Sequence, residues 1–270
     1  MGKRFTFGKN WKSFSEKIDI SRIQKSESHL REKFERENFK GLHFLDIGSG
    51  SGLFSLAATN LGASVIEAFD YDKHSVLTTK TVISDWANPL PSQEFIIYQS
   101  DVLSDSINQS IQNSDLIYSW GVLHHTGKME TCIKKVLKEM KPGAYFVLAI
   151  YNDEGLPSKR WTYLKKLYVR VFLLRPILLF WAWYRFWGSW QIRQWLKGGS
   201  PWHYWTDYAE NSRAMSAWHD LKDWAGGYPF EVATPDLIRR WVKEMGCTIE
   251  KEWLVTGIAN NEFLIKKDHG

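Results

Sequence analysis

Short apolar runs alternate with amphipathic segments along most of the chain, and this alternation predicts the fold. Seven runs are predicted to be strands: Leu42–Ile47, Ser64–Asp70, Phe95–Gln99, Asp115–Trp120, Ala144–Tyr151, Thr248–Val255 and Glu262–Lys267. Helices are predicted at Ile20–Asn38, Leu53–Leu61, Lys73–Ser84, Met129–Met140 and Pro235–Met245. Buried strands joined by helices indicate βαβ units, so we expect an α/β fold with a Rossmann-like, mostly parallel seven-stranded sheet and helices on both faces.

The alternation is interrupted between residues 152 and 232, where no clean strand pattern occurs. We therefore expect an N-terminal helical extension (1–40), a cofactor-binding core (41–151), an inserted helical lid for the substrate (152–232) and a C-terminal part of the core sheet (233–270). Because the insertion follows the fifth strand, it should emerge at the carboxyl edge of the sheet, where open α/β sheets bind ligands.

A glycine-rich turn after the first predicted strand is the strongest candidate for a ligand site. It contains Asp46, Gly48, Ser49, Gly50 and Gly52, and a helix is predicted to begin directly afterwards. Glycines at such a turn allow a ligand to approach the backbone without interference from Cβ atoms. Their spacing differs from the G-x-G-x-x-G of dinucleotide sites, which argues against a pyrophosphate cradle. A glycine-rich turn without a ligand is the alternative.

Carboxylates at the ends of the second and third strands are candidates for binding a nucleoside. Asp70 follows Gly48 by 22 residues, close to the spacing at which an acid accepts hydrogen bonds from ribose hydroxyls. Asp72 is the competing acid, and an exposed turn acid is the alternative for either. Asp101 follows the third strand and can accept from an adenine amino group, with Val102 beside the base. For Asp101, a helix N-cap is the alternative role.

Residues 42–151 resemble the class I methyltransferases, which use S-adenosylmethionine as cofactor. The resemblance implies that Asp70 binds the ribose and Asp101 the adenine. It also implies that the segment after the fourth strand lies beside the methionine part of the cofactor. The residues expected to bind S-adenosylmethionine are Asp46, Gly48, Ser49, Gly50, Gly52, Asp70, Tyr71, Asp101, Val102, Ser119 and Trp120.

Three flanking segments, residues 7–11, 215–220 and 226–231, resemble a bacterial subgroup described only as methyltransferase-domain proteins. This subgroup is distantly similar to the methylases of quinone biosynthesis. We therefore expect an enzyme that transfers a methyl group to oxygen, nitrogen or sulfur of a small or lipid-linked metabolite by in-line displacement. An RNA methyltransferase is one alternative. A non-catalytic cofactor-binding or membrane-adaptor protein is another.

Histidines near the expected position of the methyl group are candidates for a general base. His124 and His219 are the candidate catalytic residues, because a hydroxyl acceptor usually needs a base. Packing or a turn is the alternative role for His124, and a structural role is the alternative for His219. The residues expected to bind the acceptor are Trp11, His125, Trp218 and Tyr228. No metal site is expected, because the two cysteines have no zinc-binding spacing.

The insertion differs from the rest of the chain in charge and aromatic content. Residues 155–206 contain nine Lys or Arg, no Asp or Glu, and eight of the 15 tryptophans. The chain has a net charge of +5, so the remaining residues carry about −4. Between Ile177 and Trp187 almost every face is apolar, and such a helix must be buried in protein, in a partner or in lipid.

This segment has several possible packing partners. It can pack as a lid on the sheet domain or across a homodimer, or residues 160–205 can contact an anionic membrane surface. Nucleic acid is disfavoured, because polar groups would interrupt the apolar run of an RNA-binding face. The first residues lack the apolar run that is typical of a signal peptide, and no run reaches the roughly 18 apolar residues of a membrane span. The expected location is therefore the cytoplasm, including the inner face of the membrane.

Overall fold

The computed structural model describes residue 11, residues 18–198, residue 221 and residues 224–269. The strands are β1 (His43–Ile47), β2 (Val65–Asp70), β3 (Glu94–Gln99), β4 (Leu116–Trp120), β5 (Tyr145–Tyr151), β6 (Cys247–Trp253) and β7 (Asn260–Lys267). The helices are α1 (Ile20–Phe34), α2 (Leu53–Asn60), α3 (Lys73–Trp86), α4 (Asn108–Asn113), α5 (Met129–Glu139), α6 (Leu156–Arg170), α7 (Arg175–Trp183), α8 (Ser189–Leu196) and α9 (Pro235–Glu244).

The strands form one seven-stranded sheet in the order β3-β2-β1-β4-β5-β7-β6. Neighbouring strands are parallel except that β7 runs antiparallel to both β5 and β6. The predicted seven-stranded, mostly parallel sheet is confirmed. The direction of winding reverses between β1 and β4, so the carboxyl ends of these two strands border a crevice of the kind that binds ligands in open α/β sheets.

Helices cover both faces of the sheet and give it two hydrophobic cores. On one face, Ile133 of α5 and Trp241 of α9 pack in a cluster with Phe146 of β5. On the other face, Leu30 of α1 packs in a cluster with Phe44 of β1. Burial on both faces explains why the central strands have nearly continuous apolar sequences.

Two differences from the predicted helices have local causes. Helix α1 ends at Phe34 instead of Asn38, because Glu35 adopts a left-handed conformation with φ of 52° and its N–H bonds back to the last turn. Helix α4 was not predicted, because its six residues are polar except for the buried Ile111 and show no helical periodicity.

The last two strands also differ from the prediction. Strand β6 ends at Trp253 instead of Val255, and its register against β7 shifts between Ile249 and Lys251. Strand β7 begins at Asn260, two residues before the predicted Glu262, because it pairs with β5 as far as Tyr151.

The insertion leaves and rejoins the sheet at adjacent positions. Asn152 forms an isolated parallel bridge with Ala233, and the N–H of Ala233 donates to the carbonyl of Tyr151 over 3.0 Å. The described part of the insertion contains α6, α7 and α8. No helix among the described residues is both long and apolar enough to cross a bilayer.

Candidate functional site

A cavity of about 580 Å³ lies at the carboxyl ends of β1 to β5. Twelve of the residues proposed from the sequence line it: Trp11, Asp46, Gly48, Ser49, Gly50, Asp70, Tyr71, Asp101, Val102, Trp120, His125 and Tyr228. Gly52, Ser119 and His124 lie behind its wall. Trp218 and His219 fall outside the described residues. The binding and catalytic roles of all these residues stay predictions.

The glycine-rich turn is hydrogen-bonded to the end of β2. The N–H groups of Gly48 and Ser49 donate to the carbonyl of Phe69 over 2.8 and 3.1 Å. The N–H of Gly50 donates to a carboxylate oxygen of Asp70 over 3.0 Å. These bonds hold the backbone of the turn at the edge of the cavity.

Close packing within the protein, in addition to any ligand, explains the glycines of this turn. Gly48 has φ of +80°, and a Cβ there would lie 2.5 Å from Cγ1 of Val122. Gly52 has φ of +78°, and a Cβ there would lie 2.7 Å from the Cα of Thr79 in α3. Gly52 therefore permits α2 to approach α3, and this role requires no ligand. Trp11, which is predicted to bind the acceptor, lies against Gly50, where a Cβ would be 3.1 Å from its indole.

Asp70 and Asp72 have different roles in the structure. The Asp70 carboxylate accepts from the N–H of Gly50 over 3.0 Å and from the N–H of Asp72 over 2.8 Å, and each oxygen keeps further acceptor capacity. Burial raises the pKa of Asp70 to about 6, although these two donors oppose the shift. The Asp72 carboxylate caps α3 by accepting from the N–H of His74 over 2.9 Å. Of the two acids, Asp70 is therefore the one built into the turn.

Asp46 lies at the bottom of the cavity and is almost completely buried. Burial raises its pKa to about 7; a hydrogen bond from the Ser55 hydroxyl, 2.6 Å long, lowers it, and the charge of Asp70 raises it further. The carboxyl group is therefore poised to ionise near neutral pH. A cation bound in the cavity would favour its ionised form.

Asp101 is not the N-cap of the short 3-10 helix that follows β3. Ser104 holds that position, and its hydroxyl accepts from the N–H of Ser106. One oxygen of Asp101 accepts from the N–H of Leu103 over 2.9 Å, which folds the turn and leaves the carboxylate on the cavity wall.

His125 lies on the β4–β5 side of the cavity, away from the acids that follow β2 and β3. Its Nδ1 is 2.7 Å from the carbonyl oxygen of Pro229. A carbonyl only accepts, so Nδ1 carries the proton and Nε2 is the unprotonated nitrogen of the neutral ring. Burial and the positive charge of Lys165 lower the pKa of His125 to about 3, with the Pro229 carbonyl opposing the shift. The ring is therefore neutral at pH 7.

His124 lies behind this wall and is completely buried. Its ring centroid is 4.3 Å from that of His125 and 4.2 Å from that of Tyr151. Burial, with the charges of His125 and Lys165, lowers its pKa well below the usual value. Among the described residues, neither ring nitrogen has a hydrogen-bond partner. His124 therefore packs as a neutral ring, and its neighbour faces the cavity.

Lys165 is a buried cation that the sequence reasoning missed. Its side chain is 1% exposed, and its Nζ donates to the carbonyl of Trp224. The Nζ lies 4.1 Å from the ring centroid of Trp224, 4.3 Å from that of Phe230 and 5.4 Å from that of Tyr151. Contacts of this kind stabilise a buried ammonium group. They join α6 to the end of the insertion.

Other cavity residues were also missed, and some carried a signal in the sequence. They include Phe54, Phe69, Lys73, His74, Tyr118, Val122, Thr126, Tyr151 and Trp224. Tyr151 ends β5 and Phe69 lies near the end of β2, so both could have been inferred from the rule that ligands bind at strand ends. Trp224 reaches the cavity only because of how the insertion packs, so no local sequence pattern predicted it.

The end of the insertion is attached to the loop after β4. The N–H of Glu231 donates to the carbonyl of His124 over 3.0 Å, and the Glu231 carboxylate accepts from the N–H of Met129 over 3.1 Å. Burial raises the pKa of Glu231, and its backbone donors oppose the shift. With the His125–Pro229 bond, these contacts fix the wall of the cavity on this side.

Residues 20–251 match the sequence profile of a family described as a methyltransferase domain. This chain belongs to the S-adenosylmethionine-dependent methyltransferases. The match confirms the predicted family, enzyme class and cofactor.

Curated relatives match about half of this methyltransferase. A ubiquinone biosynthesis O-methyltransferase from Chelativorans sp. (strain BNC1) is 29% identical over 114 residues, which cover 42% of this chain and 42% of that protein. A ribosomal protein L11 methyltransferase from Limosilactobacillus reuteri is 28% identical over 131 residues, which cover 48% of this chain and 38% of that protein. The chain thus spans less than half the length of these two relatives.

Solved structures share the fold over nearly the whole chain. Magnesium protoporphyrin IX methyltransferase from Synechocystis PCC 6803, crystallised with bound SAH, has a TM-score of 0.53 and 13% identity, covering 91% of this chain and 83% of that chain. A complex from Haloferax volcanii between the Trm112 methyltransferase activator and a methyltransferase gives a TM-score of 0.54 and 10% identity. This match covers 96% of this chain and 95% of that chain. At these identities the likeness concerns the fold alone.

Proposed function

We propose that this protein transfers the methyl group of S-adenosylmethionine to an oxygen, nitrogen or sulfur atom of a small or lipid-linked metabolite. The observation that carries the proposal is one continuous cavity with two chemically different ends. Acids and the glycine turn line the end beside β1, β2 and β3. Aromatic side chains and His125 line the end beside β4 and β5.

The acidic end suits a positively charged nucleoside cofactor. The carboxyl groups of Asp46, Asp70, Asp72 and Asp101 line it, together with the ammonium group of Lys73. When bound, S-adenosylmethionine supplies an electrophilic methyl group on a positively charged sulfur. Asp70 would accept hydrogen bonds from the ribose hydroxyls and Asp101 from the adenine amino group. The excess of carboxylates would stabilise the positive charge.

The aromatic end favours a small planar acceptor. Tyr151, Trp224 and Tyr228 line it, and aromatic walls of this kind stack on flat ligands. Relatives named for ubiquinone biosynthesis support an oxygen acceptor on a lipid-linked metabolite, whereas those named for ribosomal protein L11 support a protein acceptor. They match similar shares of the chain, and the aromatic lining of the cavity supports the metabolite.

In this proposal His125 orients the acceptor. The unprotonated Nε2 accepts a hydrogen bond from the acceptor hydroxyl or amine, which directs a lone pair towards the methyl group. A histidine with a pKa of about 3 is a poor proton store at pH 7, so alignment is the larger part of its contribution. His124 supports the ring from behind. His219 stays a candidate base for the same reaction.

The test combines labelled cofactor with cell extract, followed by separation of lipid, small polar, protein and RNA fractions. We expect label in the lipid or small polar fraction. Label in RNA or protein would refute the acceptor class, and no transfer despite cofactor binding would support a non-catalytic role. His125→Gln should lower turnover by about tenfold or more with little change in cofactor affinity. His74→Gln, at the acidic end of the same cavity, is the matched control and should keep its turnover.

A further inference from the structure

Helix α7 and its flanking turns expose an apolar surface to solvent. Leu173, Ile177, Phe180 and Tyr184 are separated by three or four residues and therefore share one face. Their side chains are 82%, 63%, 65% and 47% exposed, and the adjacent Phe172 is 72% exposed. We call these five residues the apolar stripe.

The stripe is not the packing face of the helix. The packing face consists of Leu178, Leu179, Ala182 and Trp183, which contact clusters that include Trp161, Tyr168, Leu221 and Phe230. The inner face of α7 is thus already packed against the rest of the insertion. Contiguous exposed apolar side chains of this extent mark surfaces that bind something else.

Exposed basic residues flank the stripe along the chain. Arg170 precedes it by two residues and Arg185 follows Tyr184 directly, and both are exposed. Arg193 and Lys197, in and just after α8, are also exposed. We call these four residues the basic rim. Residues 155–206 contain nine Lys or Arg and no Asp or Glu, so no acid of this segment neutralises the rim.

We propose that the apolar stripe and the basic rim dock this protein on the surface of an anionic lipid bilayer. The stripe enters the boundary between headgroups and acyl chains, and the rim binds anionic headgroups. The proposal stands on this surface alone and does not depend on the methyl acceptor.

The positive charge of the basic rim argues against a second copy of this chain as the partner that covers the stripe. A two-fold dimer through the stripe would place the same patch on both subunits, so the basic rim would face itself. Like charges facing each other oppose association, whereas an anionic bilayer attracts them. The aliphatic Leu173 and Ile177 also cannot stack on bases, as a single-stranded nucleic acid would require.

The test is sedimentation of the full chain with vesicles of phosphatidylcholine alone and of phosphatidylcholine mixed with phosphatidylglycerol. We expect binding to the mixed vesicles at low salt, release as salt rises, and much weaker binding to the neutral vesicles. Ile177→Ser with Phe180→Ser should weaken partitioning by about tenfold or more. Arg170→Glu with Arg193→Glu should weaken it by about fivefold or more for each cation lost, and only on anionic vesicles.

Matched controls lie on the core domain. Leu77→Ser with Leu90→Ser removes apolar side chains that are 51% and 57% exposed, and Lys80→Glu with Lys138→Glu removes exposed cations. Both controls should bind vesicles like the wild type. Each variant is checked by thermal unfolding and by affinity for S-adenosylmethionine.

Leu173→Gln provides a second, milder variant in case the double variant fails to fold, and it should weaken partitioning several-fold. A wild-type protein that stays in the supernatant with anionic vesicles would overturn the proposal. So would an equal loss of binding in the controls. If light scattering shows a dimer that the stripe variants convert to monomer, this result would assign the stripe to a second copy and would also overturn the proposal.

Discussion

Replacing Asp70 with asparagine should weaken the binding of S-adenosylmethionine far more than the same change at Asp72. The two acids lie at the same end of the same cavity, which makes them a matched pair. Both Asp70 oxygens accept from backbone N–H groups, so an asparagine would turn its own N–H towards one of these donors. Asp72 caps α3, and asparagine is an equally good N-cap.

The expected magnitude follows from the hydrogen bonds at stake. A hydrogen bond to a charged group contributes about 1.5–3 kcal/mol. Since about 1.4 kcal/mol corresponds to tenfold in affinity, Asp70→Asn should weaken binding about 10- to 150-fold. Asp72→Asn keeps its cap and should change the affinity by no more than about threefold.

Titration calorimetry from pH 5 to 8, with thermal unfolding as the control for folding, measures both effects. Because the ionised carboxylate is the better acceptor and the cofactor carries positive charge, affinity should rise with pH. Below the pKa of Asp70, about 6, the wild type should lose up to about tenfold per pH unit. In Asp70→Asn, the affinity should depend less steeply on pH, because the titration of Asp70 no longer contributes. Wild-type affinity and an unchanged slope in the variant would refute the reasoning.

The remaining predictions concern stability. Gly52→Ala should cost about 2–4 kcal/mol of unfolding free energy in urea titrations, because it combines positive φ with a contact of 2.7 Å to Thr79. Gly246→Ala, with φ of +62° but open space around it, should cost only about 1–2 kcal/mol, and equal losses would contradict the packing argument. Folding raises the pKa of Asp46 from 3.8 to about 7 and so favours its protonated form. The cofactor-free protein should therefore lose stability as pH rises through this range, and Asp46→Asn should abolish that loss. Burial disfavours ionised Glu67, but hydrogen bonds from neighbouring side chains outweigh burial and lower its pKa from 4.5. The stabilisation by Glu67 is therefore present above pH 4.5 and is lost as pH falls. Glu67→Gln should reduce the loss of unfolding free energy at acid pH, and an unchanged loss would exclude this role.

The fold and the acidic end of the site were predictable because they depend on local sequence patterns. Strands buried on both faces have continuous apolar sequences, and the topology brings their carboxyl ends together. The positions of Asp46, Asp70 and Asp101 follow directly from where their strands end. The reason for Gly52 was not predictable, because the contact with Thr79 depends on how two helices pack.

The aromatic end was harder to predict because its geometry depends on tertiary contacts. His124 and His125 are adjacent in a short 3-10 helix, and the sequence cannot tell which ring faces the cavity. The bond from His125 to Pro229 decides this, and it joins residues that are 104 positions apart. Lys165 has the sequence context of an exposed lysine, and only the packing of Trp224 and Phe230 around it reveals a buried cation.

The adjacent ends of the insertion make it exchangeable. Asn152 and Ala233 are bridge partners, so the chain departs and returns within about 5 Å, the spacing of neighbouring strands. The bonds to His124 and His125 use the backbone of Glu231 and Pro229, so they constrain the path of the insertion without depending on side-chain identity, whereas the Glu231 carboxylate adds a side-chain bond to the N–H of Met129. Another segment of suitable length could therefore replace residues 153–232 with the sheet and the cofactor end unchanged. Acceptor preference can diverge in such a protein by substitution of one contiguous piece of chain.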